Sequence, residues 1–472
     1  MSFWFTATQV AGKMDRLRAA ESKLMALSKL YQPSAADPTI SSPQIFVRDT
    51  PFPRSVVPIK DCVLRCSTNQ ELEDNERYVI HSVEVKARTN YSKISNSNSS
   101  PSTSTSTPLV LLHGYMNGGV YFYRNFLSLS RYFDSIHSLD LLGWGLSSRP
   151  SFRQIQSTSA AESFFVESLE AWRKAQQIDK MILAGHSMGG YLSVAYCERY
   201  PQHVERLILL SPVGVPKEDE EMVRKRQIIR EQTWPWRARV VYNIYHGLFN
   251  FITVGDLLRS VSSRRAKSIV SEYASRRLGF TTHDELDAFV EYLYENNTLP
   301  ASGIDCVNRI LNPSVMAKEP LEDRIPKLQG VKSISFLYGA QDWMDASGGL
   351  KVQEAMRQQQ KTRQETLHSS IYSSPMPHID VYRVNDAGHL LMLEQPETVS
   401  AGIILSSVDP IDQPKLAQAL SLPSSLLPHK ISLAQYQQEQ ESAAVAQKEF
   451  QAQLQRQQEQ RRRQTLEQSP AQ

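Results

Sequence analysis

The sequence predicts an α/β protein with a mostly parallel central sheet, helices on both faces of the sheet and an inserted helical cap. Short apolar runs alternate with helical patterns between residues 109 and 210, which is typical of a parallel sheet covered by helices. Strand patterning disappears between Pro216 and Pro326, where helical periodicity replaces it. It returns at Ser333–Tyr338 and Ile379–Val384, so we expect the sheet to be completed after the insertion.

The composition is that of a globular chain. Of its 472 residues, 41% are hydrophobic and 21% are charged, and the formal net charge of +3 is too slight to indicate a nucleic-acid partner. Four cysteines are too few for a disulfide framework and predict reduced, intracellular thiols. The first residues show no basic region followed by a continuous apolar stretch, so we expect no signal peptide. The sequence also contains no uncharged apolar run long enough to span a bilayer, so we expect any membrane contact to be peripheral. The cysteines are Cys62, Cys66, Cys197 and Cys306.

Residues 1–50 are assigned to an N-terminal amphipathic helix and a linker. Apolar side chains from Val10 to Tyr31 recur at helical spacing between charged positions. Two interpretations stay open: a helix packed on the surface of the core, or a segment that acts outside it, as an interfacial anchor or a weak mitochondrial address. Asp15 and Glu21 weaken the address interpretation, because such peptides are poor in acidic residues.

Residues 51–215 form the first part of the predicted core. A strand at Tyr78–Val85 precedes a flexible Ser/Thr-rich insertion at residues 89–108, which has almost nothing to bury. Strands and helices then alternate in a regular order. That order is strand Leu109–Leu112, strand Ser135–Asp140, helix Ala161–Gln176, strand Met181–Ala184, helix Gly189–Arg199 and strand Val204–Leu210.

The rest of the chain divides into three predicted parts. Residues 216–326 are the helical cap. Residues 327–410 are the second part of the core and end with a helix that begins near Pro396. Residues 411–472 are a Gln-rich tail, disordered or helical, because they contain too little apolar material for a core.

The pentapeptide Gly185-His186-Ser187-Met188-Gly189 lies between an apolar strand and a helix. In that setting G-x-S-x-G indicates a nucleophile elbow, because the glycines permit a sharp turn that pushes the serine hydroxyl into a cleft at the helix N-terminus. Ser187 is therefore the candidate nucleophile of an α/β-hydrolase fold. We expect the neighbouring His186 to point away from it and to serve in packing or hydrogen bonding.

A serine nucleophile needs a general base and an acid that orients the base. His389 follows the strand Ile379–Val384 near the end of the core, as the order serine, acid, histidine of this fold requires. The acid is expected in the loop after Ser333–Tyr338, where Asp342 and Asp345 are both available. We favour Asp342, because G-x-x-D after a strand is the usual spacing, and we expect Asp345 to be a hydrogen-bonding neighbour.

An oxyanion hole needs two backbone N–H groups aimed at the developing negative charge. Met188, which follows the nucleophile, supplies the first. The second is expected from Tyr115, or alternatively from Met116, in the Gly-rich stretch after strand Leu109–Leu112. We expect no metal and no organic cofactor, since the sequence contains neither a clustered set of metal ligands nor a phosphate-binding G-x-x-x-x-G-K.

Several longer segments resemble one branch of the α/β hydrolases: lysophosphatidic acid acyltransferases, N-acyl-phospholipid lipases and mitochondrial cardiolipin deacylases. The resemblance is dense over residues 108–215 and thinner over 337–396. It implies a phospholipid or lysophospholipid substrate, a role in cardiolipin or phosphatidic acid remodelling and lipid homeostasis, and a mitochondrial location, with cytoplasm or lipid droplet as alternatives. The segments that carry it are His113-Gly114, Asp140–Pro150, Phe165–Arg173 and Asp179–Gly190.

The same resemblance leaves the reaction open. Acyltransferases of the branch carry H-x-x-x-x-D from the triad histidine, whereas here the stretch from His389 ends in Glu394. The glutamate favours deacylation by water over transfer from acyl-CoA, which stays an alternative that uses the same Ser187. One branch member has Asn at the nucleophile position and acts as a lipase co-activator, so a non-catalytic role is a third interpretation; the presence of Ser187, Asp342 and His389 argues against it.

The predicted cap carries basic residues next to aromatic ones. That combination suits a peripheral interface with anionic phospholipid. A solvated helical face over an ordinary cap core, or aromatic side chains that line an acyl-chain tunnel, are the alternatives. The residues concerned are Arg224–Arg226, Trp234–Arg239, Phe249, Phe251, Ile252 and Arg264–Lys267.

Overall fold

The computed structural model describes residues 6–31, 43–57, 77–87, 104–151, 155–218, 220–248, 254–300, 303–366 and 376–442, and five single positions beyond. Several predicted features lie outside these residues: most of the Ser/Thr-rich insertion, Cys62 and Cys66, the cap stretch 249–252 and most of the tail after 442. Two compact units are distinguished, Met1–His429 and Lys430–Gln472. In the second unit, residues 433–442 are helical.

Among the described residues, the strands form a nine-stranded sheet. They are β1 Gln44–Pro53, β2 Arg77–Lys86, β3 Leu109–Leu112, β4 Ser135–Leu139, β5 Met181–His186, β6 Val204–Leu210, β7 Ser333–Gly339, β8 His378–Val384 and β9 His429–Lys430. Their order is β1-β2-β4-β3-β5-β6-β7-β8-β9. The pairs β1/β2 and β2/β4 are antiparallel, and the pairs from β4 to β8 are parallel. The carboxyl ends of the parallel strands therefore meet at one edge of the sheet.

Helices cover both faces of the sheet. Several begin with a side-chain cap that satisfies an amide of the first turn: Ser157, Ser262 and Thr282 each accept a hydrogen bond from the backbone three residues on. The helices are α1 Ala7–Leu27, α2 Phe126–Leu129, α3 Thr158–Ala175, α4 Met188–Arg199, α5 Glu220–Thr233, α6 Trp236–Leu248, α7 Val254–Arg259, α8 Ser263–Arg277, α9 His283–Thr298, α10 Val307–Ile310, α11 Ser347–Thr366, α12 Leu391–Glu394, α13 Pro396–Leu405 and α14 Gln413–Ala419.

The helices α5 to α10 form the insertion between β6 and β7, where the sequence predicts a cap. The N-terminal helix α1 packs against α9 of this cap. Leu17 and Leu24 on its apolar face are fully buried, and Glu295 of α9 pairs with Lys13 at 2.8 Å and with Arg16 at 2.6 Å. Of the two interpretations of this helix, the structure therefore contains the packed one.

Two boundaries differ from those that the sequence predicts. Residues 44–50, assigned to a linker, belong to strand β1. This edge strand is mostly exposed and contains Pro51 and Pro53, so it lacks the apolar alternation that identifies half-buried strands. At the other end, α14 lies within the range assigned to the tail, yet Leu416 is fully buried and the first unit continues to His429. Leu416 and the buried Leu420 that follows the helix anchor this mostly polar segment to the core.

Candidate active site

The turn between β5 and α4 places Ser187 at the start of the helix. Ser187 has φ 53° and ψ −116°, a strained combination for a residue with a side chain. The flanking glycines are required by space. A Cβ on Gly185 would lie 2.3 Å from the carbonyl oxygen of Gly189, and a Cβ on Gly189 would lie 2.5 Å from that of Leu112. The elbow therefore closes only with glycine at both positions.

The fold brings Ser187, His389 and Asp342 together in a line. Nε2 of His389 is 3.0 Å from Oγ of Ser187, and Nδ1 of the same ring is 3.1 Å from Oδ1 of Asp342. Ser187 is only 8% exposed, and the Asp342 side chain is fully buried. Both distances lie within hydrogen-bonding reach, so the arrangement has the geometry of a nucleophile, a base and an orienting acid.

Contacts with His389 and with the backbone stabilise the negative charge of Asp342. Burial by itself raises the pKa of this carboxyl, but the hydrogen bond and the charge of His389 outweigh it, and the amide of Met344 donates to Oδ1 at 3.0 Å. The pKa of Asp342 is consequently below its usual value, and the group is ionised at neutral pH. Asp345 is exposed and accepts a hydrogen bond from the amide of Ser347 at 2.8 Å. Of the two candidate acids, Asp342 is the one in contact with the histidine.

His186, next to the nucleophile, contacts the backbone of His389. Its Nε2 lies 2.8 Å from the carbonyl oxygen of His389, and the two rings are 4.9 Å apart. Burial, reinforced by the charge of the nearby His389, lowers the pKa of His186 to about 3. The ring is therefore neutral at physiological pH and donates its Nε2 hydrogen to the carbonyl, in keeping with the hydrogen-bonding role that the sequence suggests.

Glu394 also holds the loop of His389. Its Oε2 accepts a hydrogen bond from the amide of Gly388 at 2.6 Å, and its Oε1 accepts one from the amide of Leu390 at 3.1 Å. The carboxylate thus bridges the residues on either side of the histidine. In the sequence this glutamate stands out only as a departure from a family pattern, and its contacts become visible only in the folded loop.

Both predicted oxyanion donors, Met188 and Tyr115, belong to segments that adjoin the serine. Met188 is the first residue of α4, so its amide has no acceptor within the helix. Tyr115 follows Gly114, where an added Cβ would come within 3.0 Å of Cβ of Ser187. The ring of Tyr115 packs against Trp144 at 5.2 Å, which fixes this loop beside the nucleophile. The assignment of both amides to an oxyanion hole stays a prediction.

A cavity of about 810 Å³ opens beside the triad, between α5, α6 and the loops that follow β6 and β7. Trp343 lies between the triad and the cavity, because its ring is 5.0 Å from that of His389 and also lines the cavity. Most of the wall is aromatic or aliphatic, and a few polar side chains interrupt it. The apolar part includes Val223, Trp234, Tyr242, Val315, Met316 and Met344.

A second cluster of titratable groups, which the sequence does not predict, lies under α1. Potential ligand atoms of Glu21, His81 and Asp140 are within 4.8 Å of one another. Burial lowers the pKa of His81, but hydrogen bonds to Asp49 at 2.6 Å and to Glu21 at 3.0 Å outweigh it and raise that pKa to about 10. An imidazolium with both N–H groups donating has no lone pair for a metal. The cluster is therefore a buried ion pair that ties α1 to β2.

Comparison with known proteins places this geometry in a family. A family model described as the alpha/beta hydrolase fold matches residues 107–396. A 1-acylglycerol-3-phosphate O-acyltransferase of Arabidopsis thaliana is 29% identical over 322 residues, which cover 66% of this chain and 69% of the relative. A (lyso)-N-acylphosphatidylethanolamine lipase of Mus musculus is 29% identical over 350 residues, covering 74% and 90% of the two chains.

Among solved structures, the carboxylesterase CesB of Bacillus subtilis is similar with 17% identity and a TM-score of 0.43, over 83% of this chain and 97% of the esterase. The family match confirms the predicted fold and agrees with the sheet order and the elbow described above. The relatives are named for the same lipid-modifying branch that the sequence resembles. The chain therefore belongs to the α/β-hydrolase-fold family, in the branch of 1-acylglycerol-3-phosphate O-acyltransferases and N-acylphosphatidylethanolamine lipases.

Proposed function

We propose that this protein is a serine hydrolase that removes acyl chains from phospholipids or lysophospholipids through an acyl-enzyme. The observation that carries the proposal is the contact of His389 with Ser187 on one side and Asp342 on the other. The names of the relatives, an acyltransferase and a lipase that both handle phospholipid acyl groups, support the class of substrate. The apolar cavity beside the triad has room for part of an acyl chain.

In the proposed mechanism, His389 takes the proton of Ser187 as Oγ attacks the acyl carbonyl. Asp342 stabilises the imidazolium that forms. The amides of Met188 and Tyr115 would hold the oxyanion, and the protonated His389 would then release the lysolipid or glycerol alcohol. Water, activated by the same histidine, would hydrolyse the acyl-enzyme and release the fatty acid.

The contacts of Glu394 favour hydrolysis over acyl transfer. Both of its carboxylate oxygens accept backbone hydrogen bonds, so the group is committed to the loop of His389 and is not free to bind an acyl acceptor. Acyl transfer from acyl-CoA to lysophosphatidic acid by Ser187 is the second candidate, and the name of the Arabidopsis relative favours it. A purely non-catalytic role, as a lipase co-activator, is disfavoured because all three triad side chains are in contact.

The cap helix α6 presents an apolar stripe that suits peripheral contact with a lipid surface. Trp236, Val240 and Ile244 recur every four residues and are 64%, 46% and 54% exposed, so they share one outward face. Arg237 on the same helix is exposed and would attract anionic headgroups. Within the described residues, no helix combines the length and apolarity of a membrane-spanning segment. A mitochondrial membrane, suggested by the family resemblance, stays the predicted target, with cytoplasmic sites or lipid droplets as alternatives.

Product analysis with the purified chain tests the proposal. The protein and its Ser187→Ala variant would be incubated with cardiolipin, phosphatidic acid or lysophosphatidic acid, with and without acyl-CoA. We expect the wild type to release free fatty acid in the absence of acyl-CoA and the variant to release none. Phosphatidic acid formed only when acyl-CoA and lysophosphatidic acid are both present would establish the transferase instead. Equal fatty acid release by the variant would remove Ser187 from the mechanism.

A further inference from the structure

Among the described residues that line the cavity beside the triad, one is basic, Arg230 of α5. Its guanidinium lies over the ring of Tyr242 of α6, 4.3 Å from the ring centroid. A cation–π contact holds a guanidinium through its charge, and the fork of N–H donors on such a group can bind a planar or tetrahedral oxyanion in a bidentate manner. The contact with Tyr242 therefore positions Arg230 without a carboxylate partner.

The carboxylates described in this cavity do not form ion pairs with Arg230. The two carboxylates that line the same cavity already accept hydrogen bonds: Glu218 from the side chain of Asn312 at 2.7 Å, and Asp345 from the amide of Ser347 at 2.8 Å. Within the part of the chain that the structure describes, no carboxylate pairs with Arg230. A half-buried guanidinium that has no counterion among the described residues provides a site for an anionic ligand.

The rest of the cavity connects this cation to the reacting groups. Trp343 lines the cavity and contacts the ring of His389 at 5.0 Å. Apart from a few polar side chains the wall of this cavity is apolar, with Trp234 and Met316 among its residues. A lipid whose ester lies near His389 would place an anionic group within the same cavity as Arg230.

We propose that Arg230 binds the phosphate group of an acylglycerol phosphate while its ester lies at Ser187. This inference rests on the proposed function for the site and names the part of the substrate that the cap recognises. A phosphate monoester and the phosphodiester of a larger headgroup both offer the two oxygens that a guanidinium needs. Inorganic phosphate shares this chemistry, so the experiment must separate it from the lipid.

Protection of Ser187 from a fluorophosphonate provides a test that needs no turnover. Ether-linked analogues, which cannot be hydrolysed, would compete with the labelling reaction: 1-O-hexadecylglycerol 3-phosphate, 1-O-hexadecylglycerol and inorganic phosphate. We expect the phosphorylated ether to protect the wild type at a concentration about tenfold below that of the neutral ether, as one charge-assisted contact allows. Arg230→Gln should abolish this preference, and Arg230→Lys should retain part of it.

Arg276→Gln is the matched control, because Arg276 is an exposed cap arginine that pairs with Glu272 on α8; it should retain the wild-type preference. A preference that survives in Arg230→Gln, or protection by both ethers lost equally, would overturn the assignment. Inorganic phosphate protecting as well as the phosphorylated ether would overturn the lipid headgroup as its source. If the wild type is not labelled at all, the proposed function fails, and quenching of tryptophan fluorescence by the same three ligands then decides the role of Arg230 by direct binding.

Discussion

Glu394 accepts a hydrogen bond from the amide of Gly388 at 2.6 Å, immediately before the histidine that contacts the nucleophile. Its second oxygen accepts from the amide of Leu390, so both neighbours of His389 are held by one carboxylate. His186 adds a third contact, because its Nε2 donates a hydrogen bond to the carbonyl oxygen of His389. The backbone of the base is therefore fixed by side chains that do not take part in proton transfer, and this explains why a glutamate fits at this position.

Glu394→Gln tests this holding role. A glutamine offers one acceptor oxygen where two amides need acceptors, so one hydrogen bond is lost and the loop loosens. We expect kcat to fall about tenfold with little change in KM, because small displacements of a catalytic base act on the transition state. Glu397→Gln, in the first turn of α13, is the control and should behave as the wild type. A rise in KM without loss of kcat would indicate that Glu394 contacts the substrate instead.

Ser187→Ala should remove covalent chemistry altogether. Loss of the nucleophile of a serine triad lowers kcat by on the order of 10⁶-fold, so we expect no labelling by a fluorophosphonate and no detectable fatty acid release. Thermal unfolding should stay close to that of the wild type, since removing one oxygen relieves little packing. Labelling that persists in the variant would show that another residue is the nucleophile.

The two acids of the loop after β7 should differ sharply. Asp342→Asn removes the buried charge that orients His389, and in triads such a change lowers kcat on the order of 10⁴-fold. Asp345→Asn alters an exposed side chain that accepts a hydrogen bond from the amide of Ser347. We expect its turnover to stay within about twofold of the wild type, as for most surface substitutions. Steady-state kinetics of the pair decides between them, and the opposite ranking would assign the acid to Asp345.

The ion pair of His81 should make stability depend on pH on the alkaline side. Its pKa is about 10 in the folded chain against an ordinary value of 6.5, so its contribution is complete below 6.5 and disappears as the pH rises toward 10. In urea unfolding, the difference in free energy between the wild type and His81→Gln should therefore be largest near pH 6 and shrink toward pH 10. A constant difference across this range would mean that His81 is not charged in the fold.

The apolar stripe of α6 should govern lipid binding. Trp236→Ser combined with Ile244→Ser removes two exposed apolar side chains, and we expect binding to vesicles that contain an anionic phospholipid to weaken by at least about tenfold, given the transfer free energy of such groups. Ile411→Ser, which alters a 79% exposed side chain outside the cap, is the control. Vesicle sedimentation measures the effect, and unchanged binding would exclude this face as the contact surface.

Much of the site can be predicted because its determinants are local. The strand expected at Met181–Ala184 and the helix expected at Gly189–Arg199 agree with β5 and α4 to within two residues, since apolar runs and glycine spacing reflect short-range sterics. The order of Ser187, Asp342 and His389 along the chain also follows from the fold that this elbow implies. Local patterns do not reveal strand β1, whose exposed, proline-containing sequence has no periodic signal.

The sequence by itself therefore determined the fold class, and it predicted the elbow, the histidine and a pair of candidate acids in one loop. Only the tertiary structure decided that Asp342 contacts His389 while Asp345 does not, that Glu394 and His186 hold the base, and that Arg230 shares a cavity with Trp343. The physical reason is distance along the chain. Contacts between residues tens to hundreds of positions apart depend on strand order and on how the cap lies over the sheet, and those are set by the packing of the whole core rather than by any local pattern.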